Sequence, residues 1–237
     1  MKAEVYLVYL TVHDFFFYVS RELEVGMPLE YISNTALMYA LNTHITSAQR
    51  LVSGTKPNYE EDFKKFTIYA TPAIPIVTRP LAGNKRINRN YGGALVKITY
   101  NSIGEFLAYA METEKINIPK IGAYYRYTPL TTFKFYIMGG KGPSVIRIGK
   151  KYIQARLKYM SLQCIRKHGT YRCSHPVSFK DLTESKLVSG SVVPALPYPI
   201  ILNPVIEGEY LECKDLYAST HYILVPPRSL YESLDTD

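Results

Sequence analysis

Apolar and polar side chains alternate through most of this chain, the pattern of half-buried strands. Residues 3–12 (AEVYLVYLTV) set Val5, Leu7 and Tyr9 against Tyr6, Val8 and Leu10. Both faces are apolar, as expected of a strand inside a sheet. Phe133, Phe135 and Ile137 alternate with Lys134, Tyr136 and Met138, which predicts a strand with one buried face and a turn at GGKG, 139–142. Val145–Ile148 reads as a short strand and Ala155–Arg166 (ARLKYMSLQCIR) as a long one. Residues 66–77 (FTIYATPAIPIV) read as extended, and Pro72 and Pro75 suit an edge. Helical spacing appears twice. Ile32, Ala36, Leu37, Ala40 and Leu41 predict a helix from Glu30 to about Ser53, punctuated by Gly54, Pro57 and Asn58. Ile103, Phe106, Leu107, Ala110 and Met111 predict a shorter one over Ser102–Glu114. Beyond residue 180 the chain is proline-bearing, with extended stretches near 186–193, 198–202 and 221–225.

This order of strand, helix, strands, insertion, helix and strands predicts an α+β fold. The expectation is a ferredoxin-like or RRM-like core over residues 1–180, with an inserted basic thumb hairpin at about 79–97. A β-rich C-terminal extension over 181–237 would pack on that core. The 237 residues suffice for a sizeable core, and 47% hydrophobic against 20% charged residues is a globular composition. No apolar run approaches the roughly 18 residues of a membrane span. The N-terminus reads as a strand instead of an export signal, so a cytoplasmic protein without a membrane partner is expected. Cys164, Cys173 and Cys213 are odd in number and irregular in spacing, which argues against a disulfide framework.

Charge changes the picture. Of 28 Lys and Arg, 21 fall between Phe63 and Lys180, with only 3 of the 20 Asp and Glu. From Lys115 to Lys180 there are 14 bases and no carboxylate. Solvated faces mix signs, so such a run points to a polyanionic partner. The competing arrangement is that the acidic flanks fold back over the basic middle.

Candidate phosphate contacts follow from this placement. In Ile146–Lys151, Gly149 would let the backbone approach a phosphate, with Arg147, Lys150 and Lys151 supplying charge. Lys85, Arg86 and Arg89 lie on the glycine-bearing segment 79–97, where Tyr91 of the NYGG tetrad could stack on a base. Arg126 stands among Tyr124, Tyr125 and Tyr127, and Lys141 lies in the GGKG turn. Aromatics at this spacing also suit a core. The basic–Gly–aromatic signature of base-reading RRM surfaces is absent. His168 beside Lys167 could serve a metal-independent ribonuclease, but it lacks a complete acid–base set. Cys164, His168, Cys173 and His175 do not have the compact spacing of a structural zinc site. His13 and Asp14 form a loop pair of undecided role. No catalytic residue, metal or cofactor is expected.

Five stretches taken in order resemble a known family: Leu10–Glu22 (LTVHDFFFYVSRE), Asn34–Leu41 (NTALMYAL), Tyr69–Pro75 (YATPAIP), Gly122 with Leu130–Tyr136 (LTTFKFY), and Ile146–Lys151 (IRIGKK). They resemble the type I-D branch of the CRISPR-associated Cas-five family, also called Csc-one. The resemblance implies a non-catalytic RNA-binding subunit of an antiviral surveillance complex. Such a subunit grips the 5′ handle of the crRNA and caps the backbone filament beside the large subunit. It would meet target DNA only through the complex. Two other functions fit the residues: a guide-processing endoribonuclease built around His168, and a generic single-strand-binding module.

Overall fold

In the computed structural model, the structure describes residues 4–18, 28–43, 57–76, 95–102, 120–149 and 152–232, with the backbone alone for 97–102 and 120–124. Among the described residues the chain is mostly β-sheet with two α-helices. The strands are β1 (Val5–Val12), β2 (Tyr69–Ala70), β3 (Ile74–Pro75), β4 (Leu95–Ser102), β5 (Lys120–Tyr127), β6 (Thr132–Met138), β7 (Val145–Ile148), β8 (Ile153–Arg172), β9 (Val177–Ser178), β10 (Lys186–Val193), β11 (Ile200–Lys214) and β12 (Thr220–Leu224). The helices are α1 (Asn34–Leu41) and α2 (Tyr59–Lys65).

Ten strands form one sheet ordered β10-β11-β8-β1-β6-β2. β12 and β9 pair with β11, β3 with β6, and β7 with β8. The 20-residue β8 explains how one sheet runs through both ends of the chain. Its first half pairs antiparallel with β1 from Ala155 to Leu162, and its second half with β11 from Gln163 to Arg172. β1 is central as its two apolar faces demand, with β6 on one side and β8 on the other.

Side chains alternate across the sheet. Val8, Phe135 and Tyr159 share a row, as do Leu10, Phe133 and Leu157, and this face carries the helices. Phe133 and Phe135 are wholly buried there, and Gly142 brings the turn after β6 against Leu41 of α1 and the Tyr159 ring. Ser33 caps α1, its hydroxyl accepting from the Ala36 amide. Asn42 ends the helix and is wholly buried. Its amide donates to Met38 O and Ile68 O, and its carbonyl oxygen accepts from Thr67 N and Ile68 N, tying α1 to the approach to β2. The helix predicted over 30–53 therefore starts at Asn34 and is broken at Asn42, and residues 44–56 lie outside the described ones. α2 follows the Gly54–Asn58 punctuation, with Glu60, Glu61 and Asp62 in its first turn and Lys64 and Lys65 in its last, matched to the helix dipole.

The second, two-stranded sheet is the β4–β5 hairpin. It joins the core where Phe16 and Tyr127 exchange both backbone hydrogen bonds at 2.9 Å. Buried Tyr127 also donates its hydroxyl to Leu29 O. Of the segment 79–97, Leu95–Lys97 open β4 and residues 79–94 lie outside the described ones. Ser102 ends β4 in place of starting a helix, and 103–119 lie outside them as well.

The reading of the cysteines is corrected. Cys164 and Cys213 form a disulfide, and only Cys173 is a free thiol. The two are direct register partners on β8 and β11, with Cα atoms 4.0 Å apart. A sequence separation of 49 hides a neighbourhood that only strand pairing creates.

A basic sheet face as candidate nucleic-acid interface

The face of β1, β6 and β8 opposite the helices divides along its length. At one end it is covered. Tyr136 is buried, its ring 5.6 Å from both His175 and His221, and its hydroxyl pairs with His221 Nδ1 at 3.0 Å. His221 also contacts Asp215 at 3.2 Å. Nearby, buried Asp181 accepts from Tyr69 (2.8 Å), Tyr231 (2.7 Å) and the Asn34 amide (2.9 Å). Burial outweighs these donors and raises the Asp181 carboxyl to about 6.

At the other end the face is open among the described residues, and the register assembles cations on it. Tyr9 pairs with Lys134 on one side and Lys158 on the other, making one row. Thr11 pairs with Thr132 and Arg156 in the next, where the two threonine hydroxyls lie 3.0 Å apart. Across β7, Val145 faces Arg156 and Arg147 faces Gln154. Residues two apart on a strand share a face, so Lys134, Arg147, Arg156 and Lys158 all stand on this side. Arg147, Arg156 and Lys158 are exposed, and Lys134 is half-buried. Among the described residues none of the four is ion-paired. The β11–β12 turn stands beside the rows: burial pushes the Tyr9 phenol up, and Asp215 and Tyr217 add to it. That turn is fixed by Asp215, which accepts from the Tyr217 and Ser219 amides and leaves the Tyr217 ring 80% exposed.

Other bases of the carboxylate-free run are neutralised. Arg166 pairs with Glu209 at 3.3 Å, Lys167 with Glu212 at 2.7 Å, and Lys180 approaches Glu60 at 3.9 Å. Among the described residues the acidic flanks do fold back, over the far half of β8 and at Lys180.

The residues singled out from sequence fall in several places. Arg147 joins the open face. Gly149 sits in the β7–β8 turn at φ +79°, where a Cβ would meet the Phe16 ring at 2.7 Å, so turn geometry and packing both call for glycine. Lys141 lies on the other side of the sheet, its ammonium 5.6 Å from the Tyr159 ring centre. Tyr125 and Arg126 are half-buried on β5, opposite Lys97 and Val96. Lys85, Arg86, Arg89, Tyr91, Lys150 and Lys151 lie outside the described residues. His168 is exposed on β8 opposite Glu209, and His13 is exposed after β1. Cys164 is tied to Cys213, while buried His175 has one ring nitrogen on Pro176 O and the other on the Leu224 amide.

Sequence reading missed Tyr9, Lys134, Arg156 and Lys158 as a group. The signal was present: the alternation that buries Phe133, Phe135 and Leu157 sends Lys134, Arg156 and Lys158 to the opposite face.

Among the described residues these features define a mostly β protein with two helices, and with cations free of ion pairs on the sheet face opposite α1. The chain belongs to the family described as Type I-D CRISPR-associated protein Cas5/Csc1, whose model matches residues 3–229. Among solved structures it is similar to a chain of the Type III-B Cmr-beta complex, seen by cryo-EM bound to cognate target RNA and AMPPnP. The match covers 86% of each chain, with a TM-score of 0.47 and 10% identity. At that distance the likeness carries no functional weight. Among curated proteins none matches the sequence. Among the described residues no helix is long and apolar enough to cross a membrane.

Proposed function

We propose that this chain is a non-catalytic RNA-binding subunit of the type I-D CRISPR surveillance complex, and that the open face of β1, β6, β7 and β8 grips the 5′ handle of the crRNA. The observation that carries this reading is a set of four cations on one sheet face, Lys134, Arg147, Arg156 and Lys158, unpaired among the described residues. Cations without a carboxylate partner are suited to the phosphates of a single strand, and Tyr9 between two of them offers a ring face. In this reading β1, β6 and β8 with α1 and α2 form the RRM-like core, and the β4–β5 hairpin is the thumb. The subunit caps the backbone filament beside the large subunit and reaches target DNA only through the complex. The fold's buried titratable groups suit structure better than cleavage. His175 spends both nitrogens on the backbone, and burial raises the Cys173 thiol to about 12.

The test is to sequence the RNA bound to the tagged chain purified from its native cells. The expected result is RNA of uniform length with a repeat-derived 5′ end. With Lys134→Glu and Lys158→Glu, the chain should still fold but lose that RNA. An intact RNA yield in the variant would overturn the assignment of the face.

A further inference from the structure

A cavity of about 250 Å³ opens where the cationic row ends. Ile74 of β3 is the register partner of Lys134, and it also lines this cavity. The row across the sheet is therefore Lys158, Tyr9, Lys134, then the cavity mouth. The space is smaller than the roughly 300 Å³ at which pockets for drug-sized ligands begin, and suits a single nucleobase. Its apolar walls include Ile74, Pro75, Pro176 and Leu202, surfaces against which a base can lie flat.

Two exposed polar residues, Glu30 and Asn203, line the same cavity. Glu30 has no ion-pair partner among the described residues. Two further polar residues there already have hydrogen-bond partners. The Ser174 hydroxyl accepts from the Tyr222 amide, and both His175 nitrogens are engaged. A carboxylate repels phosphate, so the backbone stays on Lys134 and Lys158 and the cavity receives a base edge. A carboxylate can only accept hydrogen bonds. Uracil offers one N–H between two carbonyls, which the carboxylate repels. Adenine and cytosine each offer one amino group beside a bare ring nitrogen. Guanine alone offers two adjacent donors, N1–H and the 2-amino group, with O6 beside them as an acceptor for an amide N–H.

We infer that this cavity holds one unstacked guanine of the bound RNA, with Glu30 accepting from its N1–H and 2-amino group and Asn203 donating to O6. The inference rests on the RNA-binding reading and adds a base-selective subsite to it.

The experiment is fluorescence anisotropy of the full chain with labelled RNA octamers at fixed salt. One octamer is all uridine, and the others carry a single guanosine, inosine or adenosine placed at each position in turn. The guanosine octamer at its best position should bind about tenfold tighter than the uridine octamer, a preference typical of one bidentate base contact. Inosine, which lacks the 2-amino group, should fall between them. Glu30→Gln should remove the guanosine preference without weakening the uridine octamer. Asn203→Gly, which keeps the left-handed backbone at φ 49°, should reduce it. Guanosine and uridine octamers within twofold of each other in the wild type, or a preference that survives Glu30→Gln, would overturn the subsite while leaving salt-dependent binding intact. Absence of salt-dependent binding to every octamer would overturn the RNA-binding reading and the subsite with it.

Discussion

The two halves of β8 carry the same kinds of side chain and differ in what happens to their charge. Arg156 and Lys158 belong to the half paired with β1, whose facing residues are Thr11 and Tyr9. Arg166 and Lys167 belong to the half paired with β11, which supplies Glu209 and Glu212. A cation's availability to a polyanion is thus set by which strand lies alongside, and composition along the chain does not reveal it. A run of bases without acids stays free of ion pairs only where its strand partners supply no carboxylate to it.

The largest effect should come from reversing charge on the first half. Arg156→Glu with Lys158→Glu should weaken RNA binding by about thirtyfold or more in a filter-binding assay, as phosphate contacts become repulsive. Arg166→Glu with Lys167→Glu changes net charge equally and should cost less than about fivefold, since those cations are already paired. Equal losses would show that net charge governs binding and would erase the distinction between the halves.

Neutralisation gives a finer reading. Each single-strand phosphate contact contributes about 0.7 to the slope of log K against log salt. Arg156→Gln with Lys158→Gln should flatten that slope by about 1.4, and Arg166→Gln with Lys167→Gln should leave it unchanged.

Removing the acids should make the second half resemble the first. Glu209→Gln with Glu212→Gln releases Arg166 and Lys167 and should strengthen RNA binding about two- to threefold at low salt. Exposed ion pairs contribute little to folding, so the melting temperature should hardly move.

The smallest effect is a control in pH, which reads two buried groups that lie off the open face. Asp181, raised from 3.8 to about 6 by burial, binds its proton more tightly folded than unfolded. Its stabilisation is therefore present at low pH and is lost as pH rises from about 4 to about 6. His175, lowered from 6.5 to about 4 by burial, stabilises above about 6.5 and loses that contribution as pH falls towards 4. The two trends oppose, so the wild-type melting temperature should be nearly flat across this window. Asp181→Asn should leave it falling with acid, and His175→Gln should leave it rising with acid. Matching slopes in both variants would contradict the assignment.

Much of the sheet was legible because strands announce themselves locally. The two-faced apolar pattern of Val5–Val12 marked the central strand, and the alternation around Phe133 and Phe135 marked its neighbour. Helix α1 was legible in kind but not in extent, since Asn42 ends it through bonds to Thr67 and Ile68 that no local pattern shows. The site was legible as a segment and not as a surface. The carboxylate-free run holds all four cations of the open face, yet Lys134 and Lys158 become neighbours only through their common partner Tyr9. That register joins residues more than a hundred positions apart and leaves no trace in spacing. Glycine 149 was read as an approach for phosphate, while the fold has a use for it in the turn against Phe16.

A strand that serves two partners in succession resembles a seam sewn to two pieces of cloth, and such a seam tears where it passes from one to the other. On β8 that place lies between Leu162, the last residue on β1, and Gln163, the first on β11. The Cys164–Cys213 bond is the next pair along. Peeling of β11 from β8 that starts where Val205 faces Arg172 must stop at this rivet, so the two halves of the sheet are fastened at the line where they would otherwise part.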